Sequence, residues 1–333
     1  MNYAQRAKSF RILQSLVLVT LVLALAGAAI PASAETPTDI YNFKGGTGDV
    51  ANTQPYGVIT QGRDGNLYSA APNGGANGNG AVFMVTPSGA ENLVYSFKSS
   101  EGPSCGPGLN LASDGNFYGD CYDYPSPGNL YKVTPSGTFT ILHAFTGGTD
   151  GGNPNGPPIQ ATDGNFYGTT WFGGAHGDGT VYKVTSGGAL TTLYSFTGGT
   201  DGSGPSAPLV QGTDGNLYGS AQFGGAHNLG TIFKISTAGK LTTLHAFSGT
   251  DGNQPVSAMI QGTDGNFYGT VYQGGTNNQG VVFKMTASGT LTVLHSFAPA
   301  TDGANPEVAL LQATDGDFYG LALFGGNAGG LDE

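Results

Sequence analysis

The six-residue phrase Asp163-Gly164-Asn165-Phe166-Tyr167-Gly168 constrains this chain more than any other feature, because it keeps returning. It recurs over 214–219, with Leu217 for the phenylalanine, and over 264–269, then as Asp315-Gly316-Asp317-Phe318-Tyr319-Gly320. Earlier versions occupy 114–119 and 64–69, the latter closing on Ser69. Steps between successive aspartates are 50, 49, 51, 50 and 51 residues. A fixed period of this length marks a repeat architecture, in which each unit buries its apolar face only against its neighbours. A residue present in every unit is first of all a builder of the unit.

The third unit shows how one repeat folds. A short apolar stretch over 155–161 runs into Asp163-Gly164, and Asp-Gly between apolar runs signals a hairpin. The return strand covers 166–171, and a glycine-rich loop follows from Phe172 to Gly179. A third strand is predicted over 180–185 and a fourth over 189–196, with Gly187-Gly188 between them. Glycine, 59 of 333 residues, supplies these turns, and nothing in the chain reads as a long amphipathic helix. Four antiparallel strands per 50 residues predict an all-β chain, a β-propeller of six blades. Adjacent aromatics such as Phe166 and Tyr167 fit a sheet covered on both faces.

The ends depart from the period. Residues 1–34 read as a secretory signal peptide: Arg6, Lys8 and Arg11 precede an apolar run, and Ala32-Ser33-Ala34 offers a cleavage site. The remaining 35–333 form a single repeat domain, expected to be exported (periplasmic, secreted or at the cell surface) and monomeric, with no membrane insertion. The stretch from Thr38 to Phe43 matches the fourth strand of a unit and is expected to complete the last blade. The last unit lacks its third strand, so the sixth blade is expected to close imperfectly on a truncated C-terminus.

Charge narrows the partners. The formal balance of −11 becomes −14 without the leader, 8 basic against 22 acidic residues, which repels nucleic acid and anionic lipid. A neutral ligand, a glycan or an extracellular protein remains compatible. Cys105 and Cys121 flank the second unit's hairpin, and an exported chain favours a disulfide between them.

Chemistry is expected on the loops that break the repeat. The Asp-Gly-Asn turns emerge on one face of a propeller, and the loops between units, with those between second and third strands, on the other. That second face carries Trp171, Phe172, His176 and Asp178, then Phe223, His227 and Tyr272. Aromatics beside carboxylates and amides suit sugar binding. Phenylalanines recurring at one place, Phe172 and Phe223, equally suit packing between blades. Trp171, the sole tryptophan, is the best single candidate; along the repeat, Ala221 and Pro72 stand at its place and Tyr272 at that of Phe172. No cofactor is expected. Asp150, Asp201, Asp251 and Asp302 are calcium candidates, although Asp in such loops also favours turns by local hydrogen bonds. No Gly-x-Ser-x-Gly, His-Glu-x-x-His or phosphate-loop motif occurs, which weighs against an enzyme.

The motif order is D-G-N-[FL]-Y-G, F-G-G, G-[TV]-[VI]-[FY]-K-[VIM]-[TS], then L-T-x-L-[HY]-[AS]-F. Running over 38–330, it resembles the GloVer tandem repeat of exported bacterial proteins. That resemblance implies propeller-like repeats ahead of one of several C-terminal anchors, and it brings no catalytic residue. In the second unit the stretch from Asp120 to Pro127 (DCYDYPSP) replaces the F-G-G loop. The expected function is therefore non-enzymatic binding or scaffolding outside the cell. The alternative is a propeller hydrolase or lyase acting on an extracellular carbohydrate or small molecule.

Overall fold

The computed structural model describes residues 11–14, 40–41, 58–102, 105, 108–123 and 126–325. The repeated phrase folds as a closed hydrogen-bonded turn. In the fourth unit Asp214 accepts the Asn216 backbone N–H (3.1 Å), its side-chain amide (2.8 Å) and the Tyr218 hydroxyl (2.9 Å). Gly215 sits at φ 79°, a conformation open to glycine at little cost. Burial alone would raise the Asp214 carboxyl, but the Asn216 and Tyr218 hydrogen bonds outweigh it and hold the pKa below the ordinary value. In the first unit burial, then the bond to Asp64, pushes the Tyr68 phenol up to about 12.

The aromatic before each tyrosine joins one unit to the next. Tyr68 meets Phe117, Tyr118 meets Phe166, Tyr218 meets Phe267 and Tyr268 meets Phe318, at ring-centroid distances of 4.3, 3.9, 4.0 and 4.0 Å. The closing glycine makes room within its own sheet: a Cβ on Gly219 would lie 2.7 Å from the ring of its cross-strand neighbour Phe233. On the turn side, glutamines of the following unit accept the backbone N–H groups of Ser113, Thr162, Thr213 and Thr263 through Gln160, Gln211, Gln261 and Gln312, at 2.7–2.9 Å. Leu111 replaces the glutamine in the second unit, and Arg63 instead donates to the Ser113 carbonyl.

These units form the all-β fold that the period predicts, in six consecutive sheets. The fourth runs Val210–Gln211, Leu217–Ala221, Thr231–Ile235, Leu241–Ala246, each strand antiparallel to the next. Leu217–Ala221 is buried along its whole length, as a strand covered on both faces must be. In the third sheet, Phe166–Phe172, Thr180–Val184 and Leu190–Ser195 fall where the sequence places them. The first strand there shrinks to Ile159–Gln160, as short as its counterparts Val210–Gln211 and Ile260–Gln261. Gly152–Pro154 adds a further strand to that sheet. Cys105 and Cys121 are joined by the expected disulfide.

The chain ends meet part of the expectation and add one strand to it. Of the stretch from Thr38 to Phe43 only Ile40 and Tyr41 are described. A Cβ on Gly89 would meet the Ile40 carbonyl at 2.5 Å, as one on Gly137 would meet that of Val94 and one on Gly239 that of Leu193. Ile40 thus stands, relative to the first sheet, where a preceding unit's fourth strand would. In the last sheet Arg11–Gln14, within the stretch read as a leader, pairs in parallel with Phe318–Ala322 on the edge where other units carry a third strand. The rest of the leader and the stretch beyond residue 325 lie outside the described residues. Among the described residues, no helix is long and apolar enough to cross a membrane.

Candidate ligand pocket

The loop entering each unit and the end of its second strand meet at one end of the sheet. Gly152 pairs with Phe172, Ser203 with Phe223, Asn253 with Gln273 and Ala304 with Phe324. This register corrects the alignment of Trp171: its counterparts are Gln222, Tyr272 and Leu323, so that Ala221 and the pairing of Tyr272 with Phe172 are each one residue off. The reason is the 51-residue step between the third and fourth aspartates. Trp171 therefore does have an aromatic equivalent, in Tyr272.

The residue after each loop partner is left-handed: Asn153 at φ 58°, Gly204 at 61°, Gln254 at 57° and Asn305 at 57°. A proline follows in all four units, and then Asn155, Ser206, Val256 or Glu307. Three units carry an amide side chain at the left-handed position, and the fourth carries glycine. A Cβ there would lie 2.9 Å from the Trp171 indole nitrogen, so the indole edge rests against bare backbone.

A cavity of about 320 Å³ opens at this break, lined by Asn153, Asn155, Trp171, Ser206, Gln222 and Val256. Trp171 is 38% exposed and lines it. Two of the lining polar atoms, Asn153 Oδ1 and Ser206 Oγ, are buried and make no hydrogen bond within the chain. A buried polar group without a partner costs about 1–3 kcal/mol. The lining holds amides, a hydroxyl, an indole and an aliphatic side chain, and no ionisable group.

Of the residues singled out in the sequence, only Trp171 lines this cavity. Phe172 packs on its own loop, where a Cβ on Gly152 would stand 2.6 Å from the ring tip, and Phe223 approaches Gly204 in the same way. Asp178 accepts the Ser203 hydroxyl at 2.7 Å and thereby ties two loops. His176 and His227 are exposed in the loops between second and third strands, and Tyr272 is half-buried.

The calcium candidates are bound up in loop hydrogen bonds. Asp150 accepts from Thr146 and faces His143 at 3.1 Å; Asp201 accepts from Thr197 and Tyr194. Asp251 and Asp302 repeat the arrangement with His245 and His295. Burial raises the Asp201 carboxyl, and bonds from Thr197 and Tyr194 more than offset it, leaving the pKa lowered. Among the described residues no three His, Cys, Asp or Glu side chains group to hold a metal.

The sequence profile of the Gloeobacter/Verrucomicrobia repeat matches residues 123–331. No curated protein matches the chain. Solved structures resemble it in fold. A Bacteroides uniformis protein assigned provisionally as a 6-phosphogluconolactonase is 14% identical, with a TM-score of 0.54 over 79% of this chain and 76% of that one. A gluconolactonase from Xanthomonas campestris is 13% identical, with a TM-score of 0.51 over 80% and 83%. An oxidoreductase of Thermus thermophilus, described provisionally as a glucose dehydrogenase, is 13% identical at 0.51 over 81% and 91%. At such identities the likeness is one of fold, and the fold is the β-propeller.

Proposed function

The chain belongs to the Gloeobacter/Verrucomicrobia repeat family, and from that premise we propose that it is an exported, non-enzymatic binding module whose ligand is a glycan held in the Trp171 pocket. The observation that carries this reading is the pocket's composition: an indole, three amides and a hydroxyl, with no acid or histidine. An aromatic face covers the C–H side of a sugar ring while amides and hydroxyls pair with its hydroxyl groups. A hydrolase or lyase would need an acid, base or nucleophile beside the bound ring. Glu307, which burial shifts upward, takes the ring position after Val256 and lies outside the lining.

Screening the full chain on a glycan array, with and without calcium, tests the proposal. Binding is expected without calcium, and it should fall at least tenfold in Trp171→Ala with an unchanged melting temperature. Binding that survives the substitution would place the ligand elsewhere.

A further inference from the structure

We infer that the pocket is a specificity site for one uncharged pyranose ring, and that Gly204 makes room for the Trp171 indole that lines it; this rests on the glycan reading above. The repeat itself supplies the comparison. At the left-handed position Asn153, Gln254 and Asn305 project amide side chains, and the Asn305 amide donates to the carbonyl of Tyr272 in the preceding unit at 3.0 Å. The fourth unit alone among these carries no side chain there, and the edge of Trp171 takes the space, where the last two units carry a tyrosine or leucine at the tryptophan's position. Two departures from the repeat therefore coincide at one cavity. Neither helps to build a blade, since the other units do without both.

The polar groups define the ligand. The lining amides of Asn153, Asn155 and Gln222 can both donate and accept, and the Ser206 hydroxyl can do either. A sugar hydroxyl can pair with each. A carboxylate or ammonium group brought into this pocket would lose its hydration and meet no counter-charge, which is costly. The chain's formal charge of −11 further disfavours an anionic sugar at long range. A cavity of about 320 Å³ holds one ring with its substituents and leaves a longer chain to extend into solvent.

Because Trp171 is the only tryptophan, its emission reports occupancy of this pocket alone. The full chain is titrated with neutral methyl pyranosides, with a methyl uronide of the same configuration and with the corresponding amino sugar. The expected result is a saturable emission change with a neutral sugar, at least tenfold weaker with both charged ones. Gly204→Asn restores the repeat's residue in a conformation that Asn153 and Asn305 already adopt, so the fold should persist while the response is lost. Ser206→Val, the fifth unit's residue, keeps the backbone and should weaken binding several-fold. An equal response to charged sugars, or binding unchanged in both variants, overturns this inference and leaves the glycan proposal standing. No response to any sugar overturns both.

Discussion

Replacing Asp120 by threonine should stabilise the protein by about 4 kcal/mol at pH 8 and by almost nothing at pH 4. Asp120 is fully buried. It occupies the strand position of Thr169, Ser220 and Thr270, whose hydroxyls donate to carbonyls of the next unit, those of Ala207, Pro255 and Val308. At the joint between the second and third sheets the polarity is reversed. Asp120 Oδ2 accepts the Gly156 N–H at 3.3 Å, and Oδ1 has no partner. Tyr182, on the facing sheet, and Tyr131 also bury hydroxyls without partners, where other units carry Phe83, Phe233 and Phe283.

Burial raises the Asp120 carboxyl to about 7 against the Gly156 bond, which lowers it; burial, then the nearby Asp120 charge, pushes both phenols well above their ordinary value, so they stay neutral. A folded pKa above the unfolded one means that stability is fully present below about pH 4 and is lost as pH rises through about 7. Three pKa units correspond to about 4 kcal/mol. Denaturant midpoints of the two proteins from pH 4 to pH 8 check this. A difference independent of pH would contradict it.

The second large effect concerns the joints between blades. Phe267 is fully buried against Tyr218, and Phe267→Ala should cost about 3–5 kcal/mol through lost burial and the cavity left behind. The repeat already contains the gentler substitution, since Leu217 takes the equivalent place in the fourth unit and is also buried. Phe267→Leu should accordingly cost about 1 kcal/mol. Equilibrium unfolding of the pair decides the point. If leucine proved as damaging as alanine, the ring stack rather than the filled volume would be what joins the blades.

What was legible in the sequence was whatever the repeat states six times. The hairpin turn, the strands at Phe166–Phe172, Thr180–Val184 and Leu190–Ser195, and the buried aromatic pair all follow from local pattern. Trp171 stood out because a lone tryptophan on a loop face has no structural duty that the other units share. Its companions did not. Asn153, Asn155, Ser206, Gln222 and Val256 are uncharged, come from three units and converge only through the ring. The signal that could have revealed them was an absence, glycine at 204 where its counterparts are amides, and it shows once the units are aligned on the repeated aspartate and the proline that follows each of these positions. Phe172 and Phe223 attracted notice for their rings, and both pack against glycines of their own loops. Asp120 was legible as an interruption of the pattern, but its burial depends on a neighbouring unit.

The central claim is that the Trp171 indole forms the floor of a sugar site. Saturation-transfer difference NMR of the full chain with a neutral methyl pyranoside tests it most directly. The account predicts strong transfer to the ring C–H protons of one sugar face, abolished in Trp171→Ala and in Gly204→Asn. Transfer spread evenly over the sugar, or persisting in Trp171→Ala, would contradict it.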